Sequence, residues 1–149
     1  MTLVPATAAS ARSHTSSLSP FDARLLSDMN SARIQHGLSP LQVTSSLESV
    51  AGNWAQQEAS AQRVYDNPHL RTTMNAACPG WKSIGEAVGA GGNATPDQLF
   101  HVYMRDAGRR QTILSAQFGV AGIYTVATSD GAGGYVAWNA LEFANACGS

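Results

Sequence analysis

Apolar residues recur every three or four positions in three stretches of the chain, a spacing that predicts amphipathic helices. The first helix is expected to begin at Ser19-Pro20, because serine caps helix N-termini and proline suits the first helical position. Gly37 is expected to end it. Its predicted buried stripe consists of Phe21, Leu25, Met29 and Ala32.

Two further helices open with capping-box sequences, in which a Ser or Thr is followed three residues later by Glu or Gln. The second helix is expected to start at Ser45, with Glu48 completing the box. The third is expected to start at Thr95, with Gln98 completing the box, and to end at Gly108. The positions predicted to face the core are Leu47, Val50, Ala51, Trp54 and Ala55 in the second helix and Leu99, Val102 and Tyr103 in the third.

The C-terminal part of the chain changes to an alternating pattern. Residues 118–128 and 135–143 alternate between apolar and polar and are rich in Val, Ile and Tyr, so they predict a β-hairpin with its turn at 129–134. Between 65 and 93 the periodicity fails, and Asn-Pro, Pro-Gly and Gly-Gly pairs predict short elements and exposed loops. Helices followed by strands favour an α+β fold over a βαβ arrangement.

Length and composition limit the possible functions. The chain of 149 residues fits a single domain at 19–149 after a flexible Ser/Thr/Ala-rich tail at 1–18. Its formal net charge of -1 gives no basic face, so nucleic acid is not an expected partner. No apolar run approaches the ~20 residues of a membrane-spanning helix, so we expect no transmembrane segment.

The cysteines and the N-terminus bear on the compartment. Cys78 and Cys147 are isolated from each other, and a disulfide between them is the preferred interpretation, with two buried thiols as the alternative. A disulfide would indicate an oxidising compartment. Residues 1–10 lack the basic and apolar regions of an intact signal peptide, so we expect a secreted protein whose leader is missing from this sequence.

Several segments resemble the CAP superfamily, also called SCP or cysteine-rich secretory-type domains, in its bacterial branch. Tyr103–Leu114 has the spacing of the signature W-x-x-S-P-G-H-R-x-N-I-L, with Tyr for Trp, Asp for Ser and Arg for His. The other matching segments are Asn30–Arg33 and Gly37–Leu41 (N-x-x-R…G-L-x-P-L), Gly85–Val88 (G-E-N-I) and the strand around Trp138–Phe143. Their order and spacing identify the domain as resembling this family.

The resemblance implies a three-layer α-β-α sandwich with a central antiparallel sheet. It also implies a cleft in which two histidines and two acids converge and can help to hold a metal ion. Carried over by position, the cleft residues are His69, Glu86, Asp106 and, in place of the second histidine, Arg109.

Arg109 changes the expected chemistry of that cleft. A guanidinium stays protonated and offers no lone pair to a metal. His69, Glu86 and Asp106 could supply one nitrogen and two oxygens, but the fixed charge of Arg109 would repel a dication and compete for the carboxylates. We therefore expect no metal cofactor, and a bidentate ion pair between Arg109 and a carboxylate instead.

The resemblance favours a secreted, non-catalytic module that binds an unknown extracellular partner or a small apolar ligand. One alternative is a peptidase-like hydrolase with His69 as general base, oriented by Glu86. Another is a lipid- or sterol-binding protein. Outside the cleft, Trp81 is expected to line the cleft, a partner surface or the core, and His101 is expected to form a solvated pair with Asp97.

Overall fold

A four-stranded sheet separates two groups of helices in the computed structural model, which describes residues 18–148. The helices are Pro20–Gln35 (α1), Ser45–Ala61 (α2), Leu70–Ala77 (α3), Pro96–Arg105 (α4) and Ala107–Ile113 (α5). The strands are Gln42–Val43 (β1), Ile84–Gly92 (β2), Val120–Ser129 (β3) and Tyr135–Ala144 (β4). The predicted α+β class and the predicted C-terminal hairpin are confirmed.

The strand order is β1-β3-β4-β2. Strands β2, β4 and β3 form an antiparallel core, and β1 adds two residues in parallel to β3. The expected antiparallel sheet is confirmed for β2, β4 and β3, and the parallel β1 makes the four-stranded sheet mixed. Strand β1 lies far from β3 in sequence, and a parallel pair needs such a long connection.

Strand β4 lies at the centre of the sheet and is covered on both faces. On one face, Leu141 and Phe143 pack with residues of α1, α4 and α5 such as Leu25, Leu99 and Ile113. On the other face the core residues of α2 and α3 are Leu47, Val50, Ala51, Trp54, Ala55 and Met74, which pack against residues of β2 and β4. Because successive side chains of a strand point to opposite faces, this single strand joins the two cores.

Helix α2 lies directly on the sheet at Gly122 of β3. A Cβ atom at this position would overlap the backbone of Leu47 and Glu48 at the start of α2. The glycine therefore sets how closely the helix and the sheet approach each other.

The predicted helix starts are largely confirmed by side-chain caps. Ser19 accepts a hydrogen bond from the Asp22 N–H, and Thr95 and Gln98 form the predicted capping box. Helix α2 begins at Ser45, but its N-cap is Thr44 and not Ser45, because the Thr44 hydroxyl accepts the Leu47 N–H. The predicted box between Ser45 and Glu48 does not form.

The prediction of short elements and exposed loops between 65 and 93 is confirmed for the eight-residue α3 and wrong for β2, a strand of nine residues. Strand β2 contains four glycines, which weaken a strand signal in the sequence. Two of them make room for aromatic rings: a Cβ on Gly85 would lie 2.6 Å from Phe118 Cζ, and one on Gly89 would lie 2.8 Å from Tyr103 Cε1.

Two predictions about the third helix also fail. Helix α4 ends at Arg105, and Gly108 lies inside α5, because Asp106 ends one helix and caps the next. Val102, predicted to be buried, is 49% exposed, since Leu99 and Tyr103 already fill the face of α4 that meets the core. Buried Tyr103 donates its hydroxyl to the Asn139 side chain.

Two long-range connections hold the periphery. Cys78 and Cys147 form the predicted disulfide, which ties the end of α3 to the C-terminal segment. The buried Arg33 guanidinium donates four hydrogen bonds, to the carbonyl oxygens of Ser39, Ile113, Ser115 and Phe118, at 2.8–2.9 Å. No helix within residues 18–148 is long and apolar enough to cross a membrane.

Candidate functional site

Three of the four predicted cleft residues line one cavity beside β2. Glu86, Asp106 and Arg109 surround a space of about 330 Å³, together with Asp66 and Thr112. Glu86 comes from β2, Asp106 and Arg109 come from the start of α5, and Asp66 comes from the segment after α2. Four charged side chains therefore meet here, three of them acidic.

Arg109 is held in this cavity from two sides. Its Nε donates to the Val88 carbonyl at 2.7 Å, and its Nη1 lies 3.2 Å from Asp106 Oδ2. Because Nε is taken by the backbone, the pair with Asp106 uses one guanidinium nitrogen and is not bidentate. The Arg109 backbone N–H also donates to Asp106 Oδ1. This hydrogen bond, and after it the charge of the Arg109 guanidinium, holds the pKa of Asp106 below its usual value.

Glu86 is half-buried and connects the cavity to the segment after α2. Its Oε1 accepts the Asn67 backbone N–H at 2.7 Å. Burial raises the pKa of Glu86, although its interactions with the Glu142 carboxyl and the Asn67 N–H oppose the rise.

His69 lies in a different cavity, of about 470 Å³, which is lined by Trp54, Tyr65 and Thr73 among others. Its backbone N–H donates to Asn67 Oδ1, and its side chain is exposed at the start of α3. Within residues 18–148 no hydrogen bond joins His69 to Glu86. The Asn67 backbone N–H bonds to Glu86 and the Asn67 side chain accepts the His69 backbone N–H, so Asn67 links the walls of the two cavities.

Two buried acids that the sequence analysis did not identify lie close to Glu86. Glu58 and Glu142 are both fully buried, and Glu142 is the β4 partner of Glu86 in the sheet. Both oxygens of each carboxyl, together with Glu86 Oε2, are buried without a hydrogen-bond partner. Burial, assisted by Glu86, raises the pKa of Glu58 to about 8, and burial likewise raises that of Glu142 well above its usual value.

The sequence contained a signal for both acids. Glu58 follows Leu47, Val50, Trp54 and their neighbours at helical spacing on the buried face of α2. Glu142 stands in a stretch of β4 that is buried on both faces and is apolar apart from Asn139. An acid at a position where the periodicity predicts an apolar residue is the sign to look for.

The arrangement does not fit the metal ion that the resemblance implies. No group of three or more His, Cys, Asp or Glu side chains in the described part of the chain is placed so that it could hold a metal ion. His69 lines the other cavity, and a guanidinium, which cannot coordinate, stands next to Glu86 and Asp106. Carboxyl groups with raised pKa values also favour protons over a cation.

Trp81 and His101, the other two residues considered in the sequence analysis, line neither the Arg109 cavity nor the His69 cavity. Trp81 is half-buried, donates its Nε1–H to Asn75 and lies under the Arg71 guanidinium. His101 is exposed beside Phe100 on α4, while Asp97 pairs with Arg24 rather than with His101.

Comparison with known proteins identifies the family. The sequence model of the cysteine-rich secretory protein (CAP) family matches residues 26–139, which is most of the chain. The chain belongs to the CAP family. No curated protein sequence matches it significantly.

Solved structures show the same fold at low identity. An outer surface protein from Borrelia burgdorferi superposes with a TM-score of 0.70 at 13% identity, covering 82% of this chain and 90% of that one. A cysteine-rich secretory protein from Staphylococcus aureus gives 0.64 at 20% identity, covering 83% of this chain and 38% of that one. An extracellular SCP-domain protein from Bacillus anthracis gives 0.66 at 17%, covering 85% and 44%. This CAP domain therefore spans less than half of the last two proteins.

Proposed function

We propose that this CAP domain is an extracellular, non-catalytic binding module whose cleft has no resident metal. The extracellular location is supported by the Cys78–Cys147 disulfide, which suits an oxidising compartment, and by the outer-surface and extracellular descriptions of two structural neighbours.

The position of Arg109 carries the proposal. Its guanidinium is fixed on the Val88 carbonyl and Asp106, so a permanent positive charge occupies the cavity that contains Glu86. A dication entering there would meet this charge at short range. To bind it, Asp106 would have to leave its ion pair with Arg109, and Glu86, whose pKa is raised by burial, would have to release any proton it holds.

The hydrolase alternative has less support. A histidine base needs its orienting acid within hydrogen-bond reach. Glu86 Oε1 instead accepts the Asn67 backbone N–H. The Asn67 side chain in turn accepts the backbone N–H of His69, so neither hydrogen bond involves the imidazole of His69.

Zinc titration tests the role of Arg109. Wild-type protein should show no saturable zinc binding by calorimetry and no zinc-dependent rise in melting temperature. Arg109→His should gain both, because it replaces the fixed charge with an imidazole next to Glu86 and Asp106. Arg110→His, the change at the adjacent exposed arginine, is the matched control and should gain neither. Stoichiometric zinc binding by the wild type that is abolished in His69→Ala would refute the proposal.

The second cavity supports a small apolar ligand as the bound molecule. Val50, Trp54, Tyr65 and Pro68 give it an apolar wall, and its volume suits a small molecule. Trp54 Nε1–H donates to the Tyr65 carbonyl, so the indole N–H resonance reports on this wall. A medium-chain fatty acid should shift that resonance saturably, and lack of any shift at saturating ligand would exclude fatty acids from this cavity.

A further inference from the structure

A third cavity lies on α2 next to the one that contains His69, with which it shares the lining residue Asn53. It measures about 390 Å³ and lies between the N-terminal half of α2 and Tyr124 of β3. Its lining consists of Ser45, Glu48, Ser49, Asn53, Gln56 and Tyr124, with Gly52 as the seventh residue. The lining therefore offers hydroxyl and amide groups, one carboxyl and one aromatic ring, and no cationic side chain.

Glu48 is an unneutralised acid in this cavity. It is half-buried, its Oε1 is buried without a hydrogen-bond partner, and no Lys, Arg or His among residues 18–148 pairs with it. The charged group that acts on it is another acid, Asp22 of α1, which is itself buried and accepts the Thr125 hydroxyl. No cationic side chain in the described part of the chain therefore offsets the charge of these two acids.

Tyr124 is an exposed aromatic residue that is held in a defined place. Tyr124 is 40% exposed, and it is one of three exposed large hydrophobic residues in the described part of the chain, with Ile34 and Val102. Its ring packs on Gly52 so closely that a Cβ there would lie 3.3 Å from Tyr124 Cδ2. The glycine thus allows the ring to lie against α2 as a wall of the cavity.

We propose that this cavity binds a small ligand through a primary ammonium group, with Glu48 as its counter-ion and the Tyr124 ring as its second contact. An ammonium carries three N–H donors, which match a carboxylate and the hydroxyl and amide oxygens around it. The face of a tyrosine ring attracts a cation within about 6 Å of its centroid. An anionic ligand would face two acids, and an apolar one would bury the hydroxyls and amides without partners.

The ionisation of Glu48 gives the site a distinctive pH dependence. Burial, reinforced by Asp22, raises the pKa of Glu48 to about 7, and a hydrogen bond from the Ile123 backbone N–H opposes the rise. About a tenth of Glu48 is then ionised at pH 6 and about nine-tenths at pH 8, whereas an alkylammonium stays protonated throughout. Apparent affinity should therefore rise about ninefold over this range, in proportion to the ionised fraction.

The test is an NMR titration of the whole chain with n-butylammonium, with n-butanol as the uncharged match. We expect saturable amide shifts at Ser49, Gly52 and Tyr124 with the ammonium and none with the alcohol. Glu48→Gln should weaken binding at least about tenfold and remove the pH dependence. Asp97→Asn, which removes an exposed acid on α4 that does not line this cavity, should change nothing.

A paired substitution of Tyr124 tests the aromatic contact. Tyr124→Leu should weaken binding severalfold, while Tyr124→Phe should retain most of it, because the cation contacts the ring face. The proposal is overturned if butanol produces the same shifts, if Glu48→Gln binds as well as the wild type, or if the shifts map to another surface. Absence of any saturable shift at about pH 8 would overturn it as well. None of these results bears on Arg109 or on zinc.

Discussion

Replacing Glu58 with glutamine should stabilise the protein at neutral pH and leave it nearly unchanged in acid. Glu58 is fully buried on the sheet side of α2, and both of its oxygens lack a hydrogen-bond partner. The carboxyl must therefore be protonated in the folded state or carry the cost of an unpaired buried charge. Glutamine has nearly the same shape and carries no charge at any pH.

The magnitude follows from the difference between the folded and unfolded pKa values. Burial, with the nearby charge of Glu86, raises the folded pKa of Glu58 to about 8 from an ordinary value of 4.5. Below about pH 4.5 both states hold the proton and the group costs nothing. As pH rises above that, the unfolded chain releases the proton while the folded chain keeps it, so the free energy of unfolding falls by about 1.4 kcal/mol per pH unit. At pH 7 the accumulated loss is about 3 kcal/mol.

Urea unfolding at several values between about pH 4 and pH 8 measures this loss. The quantity to compare is the difference in free energy of unfolding between Glu58→Gln and wild type, which should grow by about 3 kcal/mol from pH 4 to pH 7. Gln57→Glu is the matched control, because it places a carboxyl on the exposed side of the same helix. That variant should differ from wild type by no more than about 0.5 kcal/mol at every pH.

A difference that does not depend on pH would refute the reasoning. It would mean that Glu58 has the same pKa in the folded as in the unfolded chain, with its charge at neutral pH neutralised by a cation or by water. A difference that shrinks as pH rises would reverse the sign of the pKa shift. Either result would also require a new account of Glu142, which lies in the same buried cluster.

Three further predictions concern stability. Arg33→Lys should lower the free energy of unfolding by about 3 kcal/mol in urea titrations, because an ammonium cannot reach four separated carbonyls. Arg24→Lys, at an exposed ion pair, is the control and should lower it by less than about 1 kcal/mol. Reduction of the Cys78–Cys147 disulfide, which spans 69 residues, should cost about 4 kcal/mol, and the double Ser variant should not respond to reductant. Gly122→Ala should lower the melting temperature strongly, because its methyl group would overlap the backbone of α2.

The elements that could be predicted from the sequence depend on local interactions. Caps such as those of Ser19 and Thr95 involve residues three positions apart, so the signal and the structure lie in the same short segment. The hairpin was predictable for the same reason, since its alternation and its turn are adjacent. Thr44 was missed because Ser45 completes an equally good pattern with Glu48, and only the backbone conformation decides between them.

Strand β2 could not be predicted in this way, because its glycines serve distant residues. Gly85 leaves room for Phe118, and Gly89 leaves room for Tyr103, so the composition of the strand reflects tertiary packing and lowers its own strand propensity. The candidate site has the same limit. Spacing assigns Glu86, Asp106 and His69 to their segments. It cannot say which cavity each side chain lines, because that depends on hydrogen bonds formed between segments, such as those of Asn67.

The buried acids and Arg109 together determine the charge of the cleft in this CAP domain. The Arg109 guanidinium is anchored at the cavity wall by Val88 and Asp106 and forms no ion pair with the buried Glu58 or Glu142, so its charge opposes the rise in the pKa of Glu58 only in part. Raised pKa values let these acids hold protons at neutral pH instead of an unpaired charge, at a cost in stability such as the one worked out above for Glu58. A dication would then have to displace protons from the acids and overcome a fixed positive charge as well. We therefore expect that substituting Arg109 alone yields modest zinc affinity, and that the buried acids limit how much further it can rise.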